Sequence, residues 1–138
     1  MRPLLKPLHT AQVAGRRLAF FRSPLTGPDF PWHAADDLYA ALRFPADFRR
    51  HFQQMLQEQH GSLIRTVATA KGIVTICPHY MAQGVIAAGQ EIGCAPVEAE
   101  LDYARAAAAA MTTLTDELGL SEFDRVAYAA EAFKRGQR

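Results

Sequence analysis

The sequence predicts an α+β fold: two β-hairpins packed with short helices, followed by a C-terminal αα-hairpin. Three observations predict it. Two pairs of β-prone runs, within residues 10–22 and 63–77, each flank a glycine-containing turn. Between and after them, apolar residues recur at helical spacing. Beyond residue 96 the pattern is helical only, and the charge changes sign. The 138 residues are enough for one domain, which at this size buries roughly 65–70% of the unfolded surface.

The first hairpin is centred on Gly15-Arg16-Arg17. Ser23–Pro31 holds Pro24, Pro28, Pro31 and Gly27, so it reads as a loop that ends at Trp32. A helix then carries Leu38, Ala41 and Leu42 on one side, with Asp36 and Asp37 in its first turn, where negative charge suits the helix dipole. Pro45 separates it from a second helix. There Phe48, Phe52, Met55 and Leu56 form an apolar stripe opposite Arg49, Arg50, Gln53, Gln54 and Gln57. Gly61 closes that helix. The second hairpin pairs Leu63–Thr69 with Ile73–Cys77 around Ala70-Lys71-Gly72. Pro78 opens a helix that runs to about Ile92, and Gly93–Ala95 breaks the chain.

Residues 1–95 therefore read as an α+β body and 96–138 as a helical hairpin. In the tail, Val97, Leu101, Ala104, Ala108, Met111, Thr115 and Leu118 keep a heptad spacing. Ser121 caps a final helix whose apolar face is Phe123, Val126, Ala127, Ala130 and Phe133. The seam residues Val97, Leu101, Ala104, Ala108 and Met111 suit either a homodimer interface or packing on that last helix.

The formal net charge is +1, which gives no global polyanion signal. The distribution is more informative. Residues 1–95 carry ten Lys and Arg against six Asp and Glu, or +4; residues 96–138 carry five against eight, or −3. Within the body, Arg16 and Arg17 are expected at one hairpin tip, Arg65 and Lys71 in the other hairpin, and Arg49, Arg50 and Gln53 on a polar helix face. Arginine can grip phosphate or guanine and glutamine can read adenine, so these seven residues are the candidate nucleic-acid surface. The plainer alternative is a solvated helix face with ordinary turn residues.

Two cysteines make no disulfide framework. No apolar run approaches the ~18 residues of a membrane helix, and the start of the chain has no signal-like apolar core. The expectation is a cytoplasmic protein with no membrane association. Cys77 and His79, with Cys94 further on, supply only one close ligand pair, so neither a metal nor another cofactor is expected. Cys77 before a helix N-terminus, with His79 nearby, could form a thiolate–imidazolium pair. No third orienting group or oxyanion turn accompanies it. Asp36 and Asp37 point ~100° apart on a helix and make no dyad. Neither a GxGxxG nor a P-loop pattern occurs. The expectation is a protein that is not an enzyme.

Residues 32–44, WHAADDLYAALRF, resemble the opening of the Bro-N domain, which is also found in phage antirepressors. Trp32, Ala35, Asp37, Ala41, Leu42 and Phe44 fall without a gap where that motif has tryptophan, alanine, aspartate, alanine, leucine and an aromatic. His33, Asp36 and Arg43 depart from it. The similarity extends over about residues 13–90 through the order hairpin, tryptophan, helices, hairpin, helix. It implies a DNA-binding or antirepressor-like regulator of phage or mobile-element type, with DNA, a repressor or another protein as partner. Trp32, Asp37 and Leu42 read as structural: Trp32 packing the hairpin onto the helix, with roughly 150–250 Å² buried, Asp37 steadying the helix start and Leu42 on its inner face. A protein-interaction module acting through the C-terminal helices without DNA contact is the alternative, with a Cys77/His79 enzyme behind it.

Overall fold

The computed structural model describes residues 3–136. Its elements are β1 (His9–Val13), β2 (Arg16–Phe21), β3 (Trp32–Ala34), α1 (Ala35–Ala41), α2 (Ala46–His60), β4 (Arg65–Thr69), β5 (Gly72–Cys77), α3 (Met81–Glu91), α4 (Ala99–Glu117) and α5 (Glu122–Gly136). The fold is α+β, with both hairpins in one antiparallel sheet of order β1-β2-β3-β5-β4. The strand missing from the sequence reading is β3. Residues 32–34 are not simply the end of a loop; ahead of α1 they form the central strand, pairing Phe20 with His33 and Phe21 with Trp32 on one side, and His33 with Cys77 and Ala34 with Ile76 on the other.

In the first hairpin the two-residue turn is Ala14-Gly15, with φ 49° and 78°. This is the doubly positive turn that matches strand twist. Arg16 and Arg17 therefore begin β2 and do not form the tip. A left-handed alanine costs about 1–2 kcal/mol. The turn is held from both sides to offset this: the Ala14 N–H donates to Asp102 Oδ2 at 2.9 Å, and its carbonyl accepts from Arg43 Nη2 at 2.8 Å.

Strand alternation sorts the sheet into two faces. Leu18, Phe20 and Cys77 face the main core, where they meet Leu38 and Leu42, Val85 and Ile86 of α3, and Tyr103, Ala106 and Ala110 of α4. α4 is thus built into the same core as the α+β body. Phe48, Met55 and Leu56 of α2 pack against this core, and Phe52 is buried in it. The opposite face carries a smaller cluster of Phe21, Trp32, Ala34 and Ile76, flanked by Ala19, Leu25, Val67 and Val74.

Trp32 is fully buried in that smaller cluster. It packs the 22–31 loop onto the sheet instead of the hairpin onto α1, because alternation turns it away from the helix that follows. Its Nε1–H donates to Asp29 Oδ2 at 3.0 Å, which also accepts from Ser23 Oγ at 2.6 Å; Asp29 Oδ1 accepts from the Phe30 N–H at 2.9 Å.

α5 packs on its own chain through a small contact. Its buried contact is Ala132, against Met111 and Leu114 with Tyr128, Leu8 and Phe30 around it. Arg125 fixes this pose by donating to Thr115 Oγ1 at 2.9 Å and pairing with Asp116 at 2.5 Å. The apolar face read from the sequence, Phe123, Val126, Ala127, Ala130 and Phe133, is exposed throughout.

Trp32→Ala should cost about 3–5 kcal/mol in urea denaturation, as for a large buried aromatic. Asp29→Ala should cost about 2–4 kcal/mol, because it strands the buried indole N–H and frees the loop. Midpoints unchanged from the parent would contradict this arrangement.

Candidate nucleic-acid interface

The smaller-cluster face of the sheet is only partly covered. Residues 4–8, kept extended by Pro7, leave β1 and cross to the far edge. There the Leu5 N–H donates to the Ala68 carbonyl at 2.8 Å and Leu5 bridges Thr69 of β4. Beneath this strap lies a cavity of about 370 Å³. Ala19, Phe21, Ala34 and Val74 form its apolar floor, and Lys6, Arg17 and Lys71 stand around it. Asp37 also lines it, but its Oδ2 accepts the Ala19 N–H at 3.0 Å, so it ties β2 to the first turn of α1. All three cations are exposed, and among the described residues none has a carboxylate within 4.0 Å.

The seven predicted nucleic-acid residues do not form one surface. Arg17 and Lys71 meet at the groove. Arg16 is exposed, but alternation along β2 turns it toward the other face. Arg65 lies further down β4 and donates from Nε to the Ser62 carbonyl at 3.3 Å. Arg49, Arg50 and Gln53 sit on α2, across the sheet from the groove, and are engaged with carboxylates. Arg49 pairs with Asp36 at 2.7 Å, Gln53 donates to the same oxygen at 3.1 Å, and Arg50 pairs with Asp47 at 2.5 Å. The residue that sequence reasoning missed is Lys6. Its only signal was an extended, proline-flanked start, which does not show that the segment crosses the sheet.

The oligomer residues also divide. Val97, in the turn before α4, and Leu101, Ala104 and Ala108 on α4 are exposed, whereas Met111 is buried against Leu114 and Ala132 of its own chain and is not available to a partner.

A second group of polar side chains lies in the main core. His33 is buried, with Nδ1 unpartnered, and its ring meets Tyr103 edge-on with centroids 5.9 Å apart. His79 Nδ1 lies 3.1 Å from Tyr103 Oη, its ring stacks on Tyr103 with centroids 5.7 Å apart, and Phe30 meets it at a tilt with centroids 4.6 Å apart. Burial, with His79 adding to it, lowers the His33 pKa from 6.5 to about 3; burial lowers His79 as well, against the pull of Asp29. Burial, reinforced by Asp36, pushes the Cys77 thiol up to about 11. The helix N-terminus does not activate it, and a resting thiolate is the opposite of what this environment favours. Burial at Cys77 therefore works against the thiolate that the Cys77/His79 reading needs. Among the described residues no group of three His, Cys, Asp or Glu could hold a metal ion. No described helix is long and apolar enough to cross a membrane.

Between pH 6.5 and about 3 the unfolded chain takes up a proton at His33 that the fold excludes. Stability therefore falls as pH falls through this window. At pH 5 the loss from His33 alone is about 2 kcal/mol, and His79 adds in the same direction. Urea midpoints measured from pH 7 to 5 should show this slope, and His33→Leu should flatten it; an unchanged slope in the variant would exclude His33 as the source. Cys77 should alkylate slowly at neutral pH in the native protein, and faster than a denatured-state control would contradict its burial.

No protein-family model matches the chain, and neither curated proteins nor solved structures yield a relative of it.

Proposed function

We propose that this chain is a non-enzymatic DNA-binding regulatory module of antirepressor-like type, gripping the phosphate backbone with Lys6, Arg17 and Lys71. The observation that carries the reading is the groove itself: three exposed cations around one apolar-floored cavity, without carboxylate partners among the described residues. Phosphate contacts from such side chains give orientation and salt-sensitive affinity. The apolar floor offers a surface for sugars or base edges between them. The Bro-N resemblance of residues 32–44 supports the regulatory part of the reading, and so does the order of elements through α3. The unequal charge of body and tail favours approach to a polyanion by the groove side.

Fluorescence anisotropy with labelled duplex and single-stranded DNA at low ionic strength tests this. Binding should weaken with salt at a slope of about −3 for three phosphate contacts. Arg17→Ala with Lys71→Ala should weaken it by about tenfold or more, whereas Arg49→Ala with Arg50→Ala should change it by less than about twofold, since those guanidiniums are already paired. No binding at low salt, or loss of binding only in the Arg49/Arg50 variant, would overturn the proposal.

A further inference from the structure

We infer that α5 is a dimerisation helix that pairs antiparallel with α5 of a second copy of this chain. Phe123, Val126 and Phe133 are 81%, 71% and 60% exposed, with Ala127 and Ala130 exposed between them. This is a continuous apolar stripe on a helix whose other face is already committed to its own chain. Contiguous apolar surface of this kind marks an association site.

The stripe cannot turn inward without breaking what holds the helix. Arg125 is bound to Thr115 and Asp116, Tyr128 Oη accepts the Asp29 N–H, and Arg135 donates to the Thr26 carbonyl. The tethers come from α4 and the 22–31 loop, so they fix the helix with the aromatics outward.

Two features select a second copy as the occupant. A two-fold interface must be self-complementary, and the stripe reads large-small-large: Phe123 at one end, Val126, Ala127 and Ala130 in the middle, Phe133 at the other. Antiparallel copies bring Phe123 of one to Phe133 of the other, and the small central residues allow close approach. The charges agree. The first turn of α5 carries Glu122 and Asp124, and the last turn carries Lys134 and Arg135. Antiparallel pairing sets the acidic end of one helix beside the basic end of its partner, with opposed dipoles; parallel pairing would set like ends together. The inference is independent of DNA binding and stands or falls without it.

Analytical ultracentrifugation of the full chain should show a concentration-dependent dimer. Phe123→Glu with Val126→Glu should raise the dimer dissociation constant at least about 100-fold, because it places charge in an apolar contact. Both residues are exposed, so circular dichroism and the urea midpoint of the monomer should be retained. Orientation is read by disulfide trapping in a Cys94→Ser background. A mixture of Phe123→Cys and Phe133→Cys chains should cross-link across the pair. Phe123→Cys alone should not, because its two copies would lie about 15 Å apart along the helices, beyond disulfide reach. A chain that stays monomeric at its highest soluble concentration, a dimer indifferent to the double glutamate variant, or cross-linking of Phe123→Cys with itself would each overturn the inference.

Discussion

The pairing of the three-residue strand Trp32–Ala34 between the two hairpins is the constraint on which the rest depends. Without it β1-β2 and β5-β4 would be separate two-stranded ribbons, which are marginal in water. With it they become one sheet, and alternation across three residues serves both faces. His33 enters the main core, while Trp32 and Ala34 close the smaller cluster. Asp29 holds the indole and the loop in place, and α1 starts at the next residue after the strand. The groove and its cations are on the Trp32 side. The α2 face and its arginines are on the His33 side. One short strand therefore separates the candidate interface from the surface that most resembled one in the sequence.

Much of the architecture could be read from local patterns. The hairpins announced themselves through β-prone runs around glycine turns, and α2 through its apolar stripe. β3 could not be read, because three residues are too few to display a period of two and the following Ala-Asp-Asp looks like a helix start. The face that α4 buries was hidden for a different reason: with alanine at 104 and at 106–110, its middle turns carry small residues on both sides. In α5 the apolar pattern was correctly seen, but the side that packs on the chain is chosen by polar tethers at Arg125 and Tyr128 that hydrophobic periodicity does not register.

The candidate site was legible in part for equally specific reasons. Arg17 and Lys71 stood out as basic residues near turns. Arg50 carried its own warning, since Asp47 lies three residues before it on the same helix, a spacing that brings side chains together. The claim of Asp36 on Arg49 and Gln53 depends on how α1 meets α2, which no local pattern contains. Buried His33 is the inverse case: a polar residue whose strand position placed it in the core, at the cost of a strongly lowered pKa and an unpartnered ring nitrogen.

The near-neutral net charge conceals a division of labour in which a basic body offers a groove and an acidic tail offers an apolar helix face. The claim that the groove, and not α2, is the nucleic-acid surface is tested most directly by residue-resolved NMR. Titrating a short DNA duplex into ¹⁵N-labelled protein should move the backbone resonances of Lys6, Arg17, Ala70 and Lys71 while those of Arg49, Arg50 and Gln53 stay in place. Shifts confined to α2, or none at saturating DNA, would contradict it.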